Sequence, residues 1–133
     1  MTRNKNRIYV AFYSRSGHDN FHTTILVSPK KPKSHDNTTW RLHVINQPNP
    51  SRPTQVEWVY EPRLVQGRTL RLRALILLGK TETKGQELSE TLGAVEVVQD
   101  DENLDCTSWT LSAVQASLSL IVMRKPANYR WLS

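Results

Sequence analysis

The sequence predicts an α+β fold: a mainly antiparallel sheet of roughly five strands packed against a long C-terminal helix and a short helix. Three observations carry this expectation. Between Arg7 and Leu78 apolar side chains recur at period two, in runs rich in β-branched and aromatic residues. From Lys84 onward the period changes to that of a helix. The strands come first and the helices last, an order that separates them into two layers. A chain of 133 residues holds one domain with a real core, here 1–133.

The elements follow in order. Arg7 to Tyr13 (RIYVAFY) is a strand, and Ser14 to Asn20 is a polar loop carrying Gly17. Phe21 to Ser28 is the second strand. Alternation puts His22, Thr24 and Leu26 on one face and Phe21, Thr23, Ile25 and Val27 on the other. Pro29 to Thr39 is a loop. Trp40 to Asn46 is the third strand, with Arg41, His43 and Ile45 on one face. Gln47 to Thr54 carries Pro48, Pro50 and Pro53, which predicts an irregular connection. Gln55 to Tyr60 is the fourth strand, Pro62 to Gly67 a turn, and Arg68 to Leu78 the longest strand. Lys84 to Leu92 reads as a short helix closed by Gly93. Gln99 to Asp105 is an acidic loop. Cys106 to Arg124 is the main helix, apolar on most faces and so expected to lie buried against the sheet, with Pro126 ending it.

Composition narrows the function. The net charge is +6, but the lysines and arginines are scattered. Lys30, Lys31 and Lys33 fall in a proline-bearing loop and Arg68, Arg71 and Arg73 on a strand, with no basic helix. This argues for a generally basic surface rather than a nucleic-acid site. No apolar run is long enough to cross a bilayer, and no signal-peptide pattern follows the basic first residues. One cysteine rules out an intramolecular disulfide and argues against a structural zinc site. These features point to a cytoplasmic protein with no cofactor or metal, and leave the oligomeric state open.

The lone cysteine sits at a helix start. Asp105 suits the N-cap, Leu104 and Trp109 suit a hydrophobic staple, and Cys106 falls on the first turn, where the helix dipole favours a thiolate. A buried free cysteine is the plainer description. His18 and His35 lie in polar loops, whereas His22 opens one strand and His43 lies within the next. If those strands pair, the two imidazoles share a surface.

This order of His22, His43 and Cys106 resembles the circularly permuted papain-like thiol enzymes, such as lecithin retinol acyltransferase-like and PPPDE-type proteins. The matching stretches are Phe21-His22-Thr23-Thr24-Ile25-Leu26-Val27, Leu42-His43-Val44-Ile45-Asn46 and Leu104-Asp105-Cys106-Thr107-Ser108-Trp109. The resemblance implies a permuted papain-like fold, Cys106 as nucleophile, His22 as base and His43 as the residue orienting it. The chain departs from that pattern at Asp105, where the thiol enzymes usually have Asn, and at Thr23. It also resembles an uncharacterised fungal domain family with a similar His strand, a Trp-Val-Tyr-Glu strand (Trp58 to Glu61) and a Cys-x-x-Trp helix start.

The leading expectation is therefore a cysteine-dependent hydrolase or acyltransferase acting on an amide, ester or thioester bond. Its substrate would be a small molecule, an acyl group or a peptide. Tyr13, Arg15 and Trp109 are the candidate substrate contacts: Tyr13 for an oxyanion, and Arg15 (or Arg73) for an anionic group. Two alternatives stand beside it. The histidines could run acid–base chemistry on a small metabolite, or the scaffold could be a non-catalytic binding module with a basic surface.

Overall fold

A computed structural model describes residues 5–15, 21–31, 36–67, 71–97, 99, 106–120 and 122–123. Five main strands form one sheet: β1 (Asn6–Ser14), β2 (Phe21–Ser28), β3 (Thr39–Asn49), β4 (Arg52–Val65) and β5 (Leu72–Thr81). A two-residue strand, β6 (Val122–Met123), extends it. The spatial order is β4-β3-β2-β1-β5-β6, and every pair is antiparallel. Two helices, α1 (Gly85–Leu92) and α2 (Cys106–Ser117), complete an α+β architecture. Among the described residues no helix is long and apolar enough to cross a membrane.

Alternation along the strands divides the core. Ile8, Ile25, Val27, Leu42 and Val44 face the helices and pack with Leu88, Leu92, Cys106, Trp109 and Ala113. The opposite face carries a smaller cluster of Ala11, Tyr13 and Leu26, flanked by Tyr9 and Leu72. Strand β2 is buried from Thr23 to Ser28, so both its faces are covered.

Three expectations are corrected. The proline-bearing stretch after Asn46 is not an irregular loop. β3 runs on to Asn49 and β4 begins at Arg52, so Pro48 and Pro53 lie in strands. Pro62 does not turn the chain either, because β4 passes through it, pairing Pro62 with Leu42 and ending at Val65. The physical reason is position: β4 is the outer strand, and β3 beyond Leu42 has no registered partner in β2. A missing N–H is tolerated where one side of the strand has no neighbour.

The third correction concerns α2. It ends at Ser117, and a 3-10 turn (Leu118–Leu120) follows instead of continuous helix to Arg124. Nor is it buried on most faces. Cys106, Trp109, Thr110, Ala113 and Ser117 form one buried stripe, while Leu111 is 65% exposed. The expected N-cap Asp105 and staple residue Leu104 lie outside the described residues, as does Arg124.

The short helix α1 falls where period and Gly93 placed it, although Gly93 itself is right-handed, with φ of −63°. Gly85 is there for space. A Cβ built on it would overlap the Trp40 ring at Cδ1 and lie 2.8 Å from Nε1. Alanine in place of a helical glycine gains up to about 1 kcal/mol in propensity, whereas overpacking costs about 1–3 kcal/mol. The clash should win, since Trp40 packs against the main core. Gly85→Ala is expected to lower stability by roughly 1–2 kcal/mol in urea unfolding; an unchanged or raised midpoint would show that the ring moves aside freely.

Candidate functional site

The site begins with the β2–β3 pair. Registered partners run only from Ile25↔Leu42 to Val27↔Trp40. Beyond Ile25, β2 takes the first turn of α2 as its neighbour. Thr23 N–H donates to Cys106 Sγ at 3.5 Å. Thr110 Oγ1 donates chiefly to Cys106 O at 2.6 Å, with Thr23 O in reach at 3.4 Å. The Thr23 and Thr107 hydroxyls meet at 3.0 Å. Thr23 therefore faces α2, and by strand alternation His22 faces the other way. His22 lies opposite Tyr13 in the β1–β2 register, on the side of the smaller core cluster.

On that side three strands each contribute one residue. His22 Nε2 and His43 Nδ1 are 2.7 Å apart. His43 Nε2 is 3.0 Å from Glu61 Oε1, and His43 and Glu61 are directly opposed in the β3–β4 register. His43 is only 4% exposed, and His22 is half-buried. The imidazole centroids lie 4.9 Å apart in an edge-to-face arrangement.

Electrostatics fix the proton positions. Burial first, then neighbouring His43, lowers the His22 pKa to about 4. Burial likewise lowers that of His43, although its hydrogen bond to Glu61 opposes the shift. The hydrogen bond from His43 holds the Glu61 carboxyl below its ordinary value. At neutral pH both imidazoles are thus uncharged and Glu61 is ionised. An ionised carboxylate only accepts, so His43 carries its proton on Nε2 and donates it to Glu61. His43 Nδ1 is then a bare acceptor, so His22 must donate from Nε2. This assignment follows from the network and leaves the His22 Nδ1 lone pair without a partner among the described residues, at the end of the relay.

The expected site residues divide accordingly. His22 and His43 are brought together. Cys106 is not joined to them: it is 5% exposed, packs in the helix-side core and accepts from Thr23 N–H. The strand carrying His22 turns that imidazole to the opposite face, so the described residues do not assemble the expected Cys106–His22–His43 triad. Trp109 is corrected from substrate contact to core, at 1% exposure with its ring 5.2 Å from Tyr60. Tyr13 shares the face of His22 but is 7% exposed, and burial raises its pKa. Arg15 stands near enough for its charge to oppose protonation of His22, as does Arg41. His18 and His35 lie outside the described residues.

Glu61 is the residue of this cluster that the sequence reading left without a role. The signal was present: Glu57, Val59 and Glu61 alternate with Trp58 and Tyr60. Reading Pro62 as a turn hid it by ending the strand at Tyr60, five residues before its end at Val65. Among the described residues no group of three or more His, Cys, Asp or Glu side chains is placed to hold a metal ion. A cleft of about 320 Å³ lies elsewhere, lined by Lys5, Asn6, Pro29, Lys30 and Lys31. The relay is the better catalytic candidate, because among the described residues it joins proton-transfer groups at hydrogen-bond distance.

The lowered histidine pKa couples the site to stability. Between the ordinary value of 6.5 and about 4, the unfolded chain binds more protons at His22 than the folded one does. Stability is then full above pH 6.5 and declines as pH falls through that window. Glu61 adds its own loss only below its ordinary value of 4.5. The thermal midpoint, followed by circular dichroism, should fall as pH is lowered from about 7 to about 5, and His22→Gln should flatten part of that fall. An identical slope in the variant would mean that His22 is not held neutral.

No curated protein matches this chain, and no solved structure does. A family model does, described as a family of unknown function (DUF6914), over residues 5–129. That span takes in all six strands, both helices, His22, His43, Glu61 and Cys106. The chain therefore belongs to this family of unknown function, DUF6914.

Proposed function

We propose that this protein is an acid–base enzyme acting on a small molecule, with His22 as the proton acceptor. His43 and Glu61 hold its tautomer. The observation that carries the reading is the continuous hydrogen-bonded chain from His22 to Glu61, at 2.7 and 3.0 Å. A neutral imidazole with one nitrogen engaged presents the other as a base. When His22 Nδ1 takes a proton, the Nε2 proton can shift to His43 Nδ1, and the His43 Nε2 proton toward the carboxylate. The new charge is thus shared with an anion two bonds away rather than stranded on a half-buried ring. This reading needs no cofactor.

A second reading is thiol chemistry at Cys106: hydrolysis or acyl transfer at an amide, ester or thioester bond, as the papain-like resemblance implies. Cys106 on the first turn of α2, with Thr23 N–H on its sulfur, favours it. Burial of the thiol and the orientation of His22 away from α2 weigh against it.

The two readings separate by mutation across a panel of small esters, amides, thioesters and enolisable carbonyl compounds. Under the acid–base reading His22→Ala should lower kcat by at least about 100-fold, and Cys106→Ser should change it little. Glu61→Gln is the sharper variant. A carboxamide can donate to His43 Nε2, which reverses both hydrogen bonds and leaves a proton on His22 Nδ1. Activity should fall by roughly 1,000-fold or more, and nitrogen chemical shifts should report the changed His22 tautomer. Loss of turnover in Cys106→Ser, with an acyl adduct on Cys106 in the wild type, would establish the thiol mechanism instead.

A further inference from the structure

The far end of β1 carries a second arrangement that the relay does not use. From Tyr13 to Arg7 the strand runs roughly 20 Å at about 3.3 Å per residue. There the ends of β1 and β2 border a half-open cleft of about 320 Å³ lined by Lys5, Asn6, Pro29, Lys30 and Lys31. Asn6 Nδ2 is already committed to Thr83 O at 3.2 Å. The lysines are therefore the free polar chemistry of the walls. Arg7 adds to them, its Nη1 reaching back to Lys5 O at 3.5 Å. Lys80 stands directly across from Arg7 in the β1–β5 register.

Three lysines thus line the cleft, and Arg7 and Lys80 add two further cations at the same strand end without lining it. Among the described residues the ion pairs are Arg41–Glu61 and His43–Glu61, both at the relay, so none of the five is neutralised in one. Glu82, just beyond β5, is exposed and makes no ion pair with them. Like charges directly opposed across a strand pair, such as Arg7 and Lys80, oppose folding. An anion in the cleft would be held by the three lysines of its walls, and a recess concentrates their field on it.

We propose that this cleft binds the phosphate group of a small phosphorylated molecule. Lysine ammonium groups act as point charges on phosphate, and three of them match a multiply charged group better than a single carboxylate. The volume lies at the small end of ligand pockets. A half-open recess of this size at a strand end fits one compact group, whereas a polymer would need a continuous track.

The test is calorimetric titration of the whole chain with pyrophosphate, against sodium chloride at matched ionic strength. A triple variant (Lys5→Ala, Lys30→Ala, Lys31→Ala) and His22→Ala are run in parallel. Saturable one-to-one binding is expected, weakened roughly tenfold or more in the triple variant and unchanged in His22→Ala. The triple variant should unfold no earlier than wild type without ligand, because it removes like charges rather than core contacts. A chloride response equal to that of pyrophosphate, or full affinity in the triple variant, would overturn the assignment. So would displacement of pyrophosphate by a single-stranded oligonucleotide or by anionic vesicles at lower concentration, either of which would make the surface a polymer or membrane contact. Loss of binding in His22→Ala would place the anion at the relay and also overturn it.

Discussion

Thr23 is where β2 exchanges a strand neighbour for a helix. Its N–H donates to Cys106 Sγ and its carbonyl lies within reach of Thr110 Oγ1, so the first turn of α2 supplies partners that β3 no longer provides there. Backbone groups buried at 4% exposure cannot be left unpaired. That requirement pins the start of α2 against one face of the sheet. It also separates β2 from β3 just where His22 and His43 project from the opposite face. Helix docking and histidine pairing are thus two results of one parting of strands. Cys106 serves this arrangement first as a soft acceptor in a packed core.

The relay rests on a balance of charges. Arg41 lies 3.8 Å from the Glu61 carboxylate, and Arg41 and Arg63 both oppose protonation of His43. Glu61 is the anion among these groups, and it answers to both His43 and Arg41. A partly exposed pair of this length contributes little to stability, from nothing to about 1 kcal/mol. Its value is directional: an ionised Glu61 fixes which nitrogen of each imidazole carries hydrogen. Burial keeps the rings neutral, and the surrounding guanidinium groups add to it without supplying any acceptor that could compete for their protons.

Much of the sheet was legible because strand alternation is strict. Period two alone separates His22, Thr24 and Leu26 from Thr23, Ile25 and Val27, and the structure keeps that division. The same parity places His43 with Arg41, and both lie on the relay side. What misled was local chemistry read without neighbours. Proline suggests a break, yet Pro48, Pro53 and Pro62 sit in strands, because whether a missing N–H matters depends on what lies beside it. The apolar content of 106–124 suggested a largely buried helix, yet Leu111 and Leu118 are exposed and the helix ends at Ser117. The Cys106–His22 pairing failed for a subtler reason. Both residues adjoin Thr23, but side-chain direction reverses between consecutive strand positions, so nearness along the backbone did not become contact.

The outer position of β4 has a consequence for the protein in a crowded solution. A free strand edge is a template on which another chain can add, the first step of fibrous association. Pro53 and Pro62 have no N–H to offer an incoming strand, and Arg52 and Arg63 beside them are exposed and positively charged. A second copy approaching this edge would meet interrupted hydrogen bonding and a like charge at both ends. The prolines that obscure the strand in the sequence therefore help keep neighbouring molecules apart while β4 stays committed to β3.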